Sequence, residues 1–326
     1  MEKRNIAVVY GGFSSEEVVS KRSAEGILSF IDTQKYNLFP LLITPEKWVV
    51  VLNNDEIAVN KSDFSIILND QHIKFDFAYI TIHGTPGEDG LLQGYLKLMN
   101  VPHSTCDVLT AALTFNKYMC NNYLKNFGIR VATSVLVRKD KPYDLNKIGK
   151  TCGFPCFVKP NAGGSSFGIS KVKEMDNLNQ AIEKAFKESD EVIIEQFIEG
   201  VEVTCGLYKT KERTVILPIT EVISKNEFFD FEAKYTPEKV TEITPARISD
   251  ELTEAIKKTT QTTYELLSCK GIVRIDYIIE GEKHYLLEVN TTPGMTPTSF
   301  IPQQIEAAKL DIKEVFTEII ENAIHA

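Results

Sequence analysis

Two strand-like runs near the C-terminal end carry the residues with the clearest chemistry. They are Val273-Arg274-Ile275-Asp276 and Leu286-Leu287-Glu288-Val289-Asn290. Side chains alternate along a strand, so Arg274 and Asp276 share one face of the first run, and Glu288 and Asn290 share one face of the second. A carboxylate beside a carboxamide offers the oxygen ligands that Mg²⁺ takes from protein and phosphates together. Tyr277 to Tyr285 reads as the rest of a hairpin turning near Gly281. Placing Asp276 opposite Glu288 puts Arg274 opposite Asn290, with all four on one face. That register predicts an odd-numbered loop such as Gly281-Glu282-Lys283; an even loop without a bulge would put the two carboxylates on opposite faces. A solvated strand face is the alternative. Against it stand Val273, Ile275, Leu287 and Val289, which make the other face apolar. Two acids on one face also repel unless a cation lies between them.

The elements that must position this hairpin are legible as apolar runs. Ile6 to Tyr10, ended by Gly11-Gly12, reads as a buried parallel strand feeding a loop and a helix. Ser14 and Glu17 have capping-box spacing, which leaves Glu16 to point into the crevice beyond the strand end. The helix dipole alone also explains glutamates in a first turn. Residues 36 to 75 hold short strands, including Trp48 to Leu52. Phe75 to Ile82 is another strand, ending in the tight loop His83-Gly84-Thr85-Pro86-Gly87-Glu88-Asp89-Gly90. The first domain should close near Val101 to Ser104, and Asp107 to Phe127 reads as helical segments.

Farther on, the strand ending in Phe157-Val158-Lys159-Pro160 leads into Asn161-Ala162-Gly163-Gly164-Ser165-Ser166-Phe167-Gly168 and a strand from Ile169 to Val172. Paired glycines let backbone N–H groups approach phosphate, the serines add donors, and Lys159 adds charge. This is not a Walker A sequence, and an ordinary hairpin turn is the bland alternative. Asp176 to Glu188 is an amphipathic helix with core positions Leu178, Ala181, Ile182, Ala185 and Phe186. Glu191 to Phe197 is a strand. Residues 224 to 246 form a long irregular stretch, rich in aromatics and charge, of the kind that is functional or disordered. Ser249 caps a helix reaching Leu267, and one closing helix runs from Ile305 to the end.

Composition narrows the class. The 326 residues allow two or three domains. An apolar share of 43% and a charged share of 25% are ordinary for a soluble globular protein. A formal charge of −9 argues against non-specific nucleic-acid binding. The six cysteines are scattered without a CxxC pair, so reduced thiols are expected rather than a zinc site or disulfides. Neither a signal-peptide h-region nor a membrane-spanning helix is expected, which places the protein in the cytoplasm.

The hairpin resembles the metal-binding hairpin of ATP-grasp ligases. The longer run Glu288-Val289-Asn290-Thr291-Thr292-Pro293-Gly294-Met295-Thr296, with the HGxxGEDG loop at His83, resembles the D-alanine–D-alanine ligases over nearly the whole length. The resemblance implies an α/β fold of three ATP-grasp domains, at 1–105, 106–195 and 196–326, the first built on a parallel sheet. It implies ATP and two Mg²⁺ (or Mn²⁺) as cofactors, the ions held by Asp276, Glu288 and Asn290. Lys117, Lys159, Ser166 and Lys234 would meet phosphate. Glu195 and the backbone near Ile198 would read adenine, and Glu202 the ribose. Glu16 would hold the first substrate's ammonium and His83 its carboxylate or the neighbouring loop. Arg274 and the Gly294 N–H would stabilise the oxyanion. Tyr235, in the closing loop, would bond with Ser165 and Glu16. Ser299 and Phe300 would meet the second substrate.

The implied reaction joins two D-alanines through an acyl phosphate for peptidoglycan precursor synthesis, in a homodimer without nucleic-acid or membrane partners. This chain departs from the family pattern at three places. Val18 stands where a second acid is common, Phe229-Asp230-Phe231 replaces Tyr-Asp-Tyr, and Phe300 replaces leucine. The alternatives are another ATP-grasp ligase, including one adding D-serine or D-lactate, and a non-enzymatic nucleotide sensor.

Overall fold

The structure is a computed structural model that describes residues 3–14, 16–164, 168–224 and 240–325. The N-terminal part contains β1 (Arg4–Gly11), α1 (Glu17–Phe30), β2 (Tyr36–Ile43), β3 (Trp48–Leu52), β4 (Asp55–Ala58), β5 (Ser65–Leu68), β6 (Gln71–Lys74), β7 (Phe77–Ile80) and α2 (Leu91–Leu98). β1 lies between β2 and β7 and is parallel to both, while β3 and β4 extend the sheet antiparallel in the order β4-β3-β2-β1-β7. Ile6 and Val8 enter one core and Ala7 and Val9 the other, which is why this strand reads as an unbroken apolar run. The expected capping box does not form. The helix starts at Glu17 with Glu16 at its N-cap, and the Ser14 hydroxyl is turned away to accept the Glu16 N–H and to donate to the His83 carbonyl.

Next come α3 (Val108–Phe115) and α4 (Lys117–Lys125), then a second sheet built from β8 (Ser134–Arg138), α5 (Leu145–Cys152), β9 (Cys156–Pro160), β10 (Ser170–Val172), α6 (Leu178–Ala185) and β11 (Glu191–Gln196). Its order is β10-β9-β11-β8, all antiparallel. Cys156, Val158, Val192 and Ile194 pack under Ile148, Leu178, Ile182 and Phe186 from the helical layer. Alternation therefore turns Lys159 and Glu195 to the opposite face.

The third sheet takes β12 (Val201–Lys209), β13 (Thr214–Ile216), β14 (Thr220–Ser224) and β15 (Val240–Ile243), followed by α7 (Asp250–Leu266), β16 (Ile272–Glu280), β17 (Lys283–Asn290), α8 (Phe300–Ala307) and α9 (Ile312–Ile324). Its order is β15-β14-β12-β16-β17, with β13 on β12. Val273, Ile275, Tyr277, Leu286 and Val289 pack with Ile256 and Tyr264 of α7 in one core. Ser249 caps α7 by accepting the Leu252 N–H, as expected. The single closing helix is instead two, broken where Lys309 turns to φ +57°.

The hairpin has the expected register but not the expected loop. Asp276 faces Glu288 and Arg274 faces Asn290, yet Glu280 pairs with Lys283 across a two-residue turn with Gly281 at φ +59°. A bulge reconciles the two. Asp276 faces Glu288 while Tyr277 faces Leu286, so Leu287 is the extra residue. Leu286, not Leu287, consequently fills the core, and its N–H donates to the Arg130 carbonyl, pinning the chain that enters β8.

All six cysteines are buried and free. Among the described residues no helix is long and apolar enough to cross a membrane.

Candidate active site

Asp276 is the centre of the polar face. Its Oδ1 accepts Arg274 Nε at 2.9 Å and the Thr204 hydroxyl at 2.6 Å; its Oδ2 accepts Arg274 Nη2 at 2.8 Å and Asn290 Nδ2 at 3.0 Å. Thr204 reaches it because β12 pairs with β16 with Thr204 opposite Asp276. Burial alone would lower the Arg274 pKa, but Asp276, then Glu288 and Glu202, hold it above its ordinary value. The guanidinium carbon lies 5.3 Å from the centre of the Phe300 ring, within cation–π range. Glu288 approaches Lys117 Nζ at 3.5 Å. The repulsion between the two hairpin acids is thus met in part by the chain's own cations.

The glycine-rich loop comes to this face through its own anchors. Asn161 accepts the Lys117 N–H on its carbonyl and the Tyr118 N–H on its Oδ1, which ties the loop to the start of α4. Lys117 Nζ donates to the Gly163 carbonyl at 2.6 Å, so this lysine bridges loop and hairpin. Lys159, almost fully buried, pairs with Glu195 at 2.5 Å. Burial pushes its ammonium down, but Glu195, Glu288 and Glu202 push it above the ordinary value. The same shifts show that Lys159, Glu195, Glu202 and Glu288 share one electrostatic neighbourhood. Ile198 is buried just before β12, which carries Glu202.

The N-terminal part closes the other side. Glu16 is buried. A methyl group built on Gly164 would stand 2.9 Å from Glu16 Oε1, and one on Gly84 would stand 3.3 Å from Oε2, so both loops press on this carboxylate. His83 is buried with Nε2 3.2 Å from the Ser23 hydroxyl, which also accepts the Met295 N–H. Burial drives the His83 pKa down, against the opposing pull of Glu16, and favours the neutral imidazole. α1 can lie against the segment after the hairpin only because Gly26 has no side chain; a Cβ there would stand 2.0 Å from the Met295 carbonyl oxygen. A methyl on Gly294 would stand 3.1 Å from Ser299 Oγ, and Ser299 holds the turn by accepting the Thr296 N–H at 3.0 Å.

The structure therefore brings together Glu16, His83, Lys117, Lys159, Glu195, Glu202, Arg274, Asp276, Glu288, Asn290, Gly294, Ser299 and Phe300, with Ile198 buried four residues before Glu202. Ser165, Ser166, Lys234 and Tyr235 lie outside the described residues. Sequence reasoning passed over four others. Thr204 was within reach, since it alternates with Glu202 onto the same face. Glu88 sits in the HGxxGEDG loop and accepts the Gly84 N–H at 2.7 Å. Burial, reinforced by Glu16, pushes its carboxyl up to about 8. Glu242 accepts Gln303 Nε2 at 2.7 Å, and burial raises its pKa against the pull of that amide and of Arg274. Gln304 is buried over β12. No local pattern announces the last two.

A divalent metal suits the donor set. Among the described residues no three His, Cys, Asp or Glu side chains cluster as a metal site. Asp276, Glu288 and Asn290 would offer oxygen ligands and neither His nor Cys, a set that suits Mg²⁺ or Mn²⁺ better than zinc. Among the described residues, Glu16, Glu195, Glu202, Asp276 and Glu288 also outnumber Lys117, Lys159 and Arg274. A polyphosphate entering that field needs added cations.

Comparison with known proteins gives consistent results. The family model described as D-ala D-ala ligase N-terminus matches residues 5–106, and that described as D-ala D-ala ligase C-terminus matches residues 123–321. The chain is similar to the D-alanine–D-alanine ligase of Phocaeicola vulgatus, 56% identical over 322 residues that cover 98% of this chain and 99% of that one. It is 55% identical to that of Parabacteroides distasonis over 324 residues, 99% of this chain and 98% of the relative. Among solved structures it resembles the VanG D-Ala:D-Ser ligase of Enterococcus faecalis, with TM-score 0.87, 31% identity and coverage of 99% and 100% of the two chains. It also resembles the D-alanine–D-alanine ligase of Bacillus anthracis complexed with ATP, with TM-score 0.79, 29% identity and coverage of 99% and 98%.

Proposed function

Because the chain belongs to the D-alanine–D-alanine ligase family, we propose that it joins two D-alanines at the expense of ATP, supplying D-alanyl-D-alanine for peptidoglycan precursor synthesis. The observation that carries this reading is the shared face of Arg274, Asp276, Glu288 and Asn290, set against Lys117 and Lys159 on one side and Glu16 and His83 on the other.

The first D-alanine carboxylate takes the γ-phosphoryl group of ATP, giving an acyl phosphate and ADP. The second D-alanine, its amine deprotonated, attacks the acyl carbon, and the tetrahedral adduct collapses by releasing phosphate. Asp276, Glu288 and Asn290 would hold two Mg²⁺ or Mn²⁺, which supply charge neutralisation for the triphosphate and the transferring group. Lys117, Lys159 and Ser166 would fix the phosphates, with Lys234 on the γ-phosphate. Glu195, the Ile198 backbone and Glu202 would hold adenine and ribose. Glu16 would take the first ammonium. Neutral His83, held by Ser23, orients the first carboxylate or its loop. Arg274, already oriented by its two bonds to Asp276, would meet the oxyanion with the Gly294 N–H, a contribution of ~3 kcal/mol per donor. Ser165 and Tyr235 would link to Glu16. Ser299 would orient the incoming carboxylate, with Phe300 narrowing the space beside it.

Three domains, at 1–105, 106–195 and 196–326, would meet at this cleft. A homodimer accords with the exposed apolar side chains Leu91, Leu98, Val108 and Leu109 on α2 and α3. The cytoplasm is the fitting compartment for six buried thiols and an ATP-dependent reaction. The test is incubation with ATP, Mg²⁺ and D-alanine. ADP and dipeptide forming in equal amounts supports the reading, and ADP forming without dipeptide sinks it.

A further inference from the structure

β12 changes partners in mid-course. From Glu202 to Thr204 it pairs with β14, and from Leu207 to Lys209 with β13. Between them Cys205 and Gly206 pair with neither strand. Gln304, fully buried on α8, fills this gap. Its Oε1 accepts the Gly206 N–H at 3.0 Å and its Nε2 donates to the Thr204 carbonyl at 3.0 Å, as a peptide unit of a strand would. The second Nε2 proton goes to the Thr220 hydroxyl at 3.0 Å, which lies 2.7 Å from the Thr244 hydroxyl. A methyl on Gly206 would stand 2.6 Å from both Gln304 Oε1 and Ile301 Cδ1, so helix and strand are in direct contact. A buried amide is costly unless both ends are bonded, and an apolar side chain would fill this volume without that cost. The bonds themselves are therefore what the position supplies.

Both ends of this connection reach the active site. Thr204, held by its carbonyl, donates its hydroxyl to Asp276 Oδ1. α8, held by Gln304, starts at Ser299 and Phe300. We propose that Gln304 is a positioning residue that sets the second-substrate end of α8 and the Asp276 carboxylate in one register, acting on the latter through Thr204. This rests on the ligase reading above.

The test compares Gln304→Met, Thr204→Val, the double variant and Thr204→Ser, with steady-state kinetics and thermal unfolding for each. Gln304→Met and Thr204→Val should each lower kcat roughly tenfold, in line with small misplacements of reacting groups. The double variant should be no worse than the poorer single one, and Thr204→Ser should restore wild-type rates. Gln304→Met should raise the KM for the second D-alanine and leave that for the first within about twofold, because Glu16 and His83 are held by other elements. Multiplicative losses, a Thr204→Ser as poor as Thr204→Val, or losses that follow the unfolded fraction would overturn the inference. If Gln304→Met does not fold, the threonine pair decides alone. A wild-type chain that makes no dipeptide fails the ligase reading; an active wild type with multiplicative losses fails this inference only.

Discussion

Two arginine–carboxylate forks lie on opposite faces of the same sheet. Arg274 meets Asp276 through Nε at 2.9 Å and Nη2 at 2.8 Å; Arg247 meets Glu221 through Nε at 2.9 Å and Nη2 at 2.8 Å. The geometry of the pairs is the same, and their surroundings are not. Glu221 sits opposite Val203 on β12, which belongs to the apolar core, and its arginine is 62% exposed. Asp276 sits opposite Thr204, its arginine is 14% exposed, and Glu288, Asn290 and Lys117 converge on the same place. Ion-pair geometry is a poor guide to function; the convergence of further polar and charged groups on a buried pair is a better one.

The largest effect expected from this contrast is on turnover. Asp276→Asn should lower kcat by about a thousandfold or more, while Glu221→Gln stays within about twofold, measured as dipeptide formed per folded molecule. Arg274 keeps Glu288 and Glu202 as neighbours, so Asp276→Asn should shift the unfolding midpoint by only a few degrees, roughly what 1–2 kcal/mol gives in a chain of this size. A collapse in stability with both substitutions alike would erase the distinction.

Next is the same strand read from its other side. Ile275→Ala removes a fully buried side chain from the α7 core and should cost about 2–4 kcal/mol in denaturant unfolding, with kcat per folded molecule unchanged. A strong kinetic defect in the folded variant would show that the two faces are not separable.

A smaller effect is expected at the second-substrate end. With equal D-alanine and D-lactate near pH 7.5, the dipeptide should exceed the depsipeptide about tenfold or more, and D-serine should be poor, because Phe300 leaves less room than leucine. Mass analysis of the products checks this. A depsipeptide yield matching the dipeptide would move the chain to another substrate class and leave the fold intact.

The smallest effect belongs to the structural fork. The hydrogen bond from Arg247 holds the Glu221 pKa below its ordinary value. The unfolded chain therefore binds the proton more readily, so this pair stabilises the fold above the ordinary glutamate pKa. That stability is lost as pH falls through the lower, folded value. Screening by solvent around Arg247 keeps the contribution below about 1 kcal/mol. Unfolding of wild type and Glu221→Gln between pH 6 and 3 should converge at the acid end; parallel curves would contradict the assignment.

The sequence pattern revealed the polar face of the hairpin because alternation and pairing are local rules. It missed the loop length because the bulge at Leu287 is fixed by a distant partner, the Arg130 carbonyl. Ser14 looked like a cap, but its hydroxyl is claimed by the His83 loop. One closing helix was expected, since nothing in the pattern around Lys309 marks its turn to positive φ. Gln304 and Glu242 escaped notice for the same reason as the bulge: their partners lie across the fold, where no spacing in the chain points.

If phosphate leaves from an acyl phosphate made on the first D-alanine, an oxygen of that carboxylate must leave with it, and ¹⁸O transfer follows this atom. D-alanine labelled with ¹⁸O in both carboxylate oxygens is incubated with ATP and Mg²⁺, and the inorganic phosphate is weighed by mass spectrometry. One ¹⁸O is expected in each phosphate released with dipeptide. Phosphate carrying no label would contradict it.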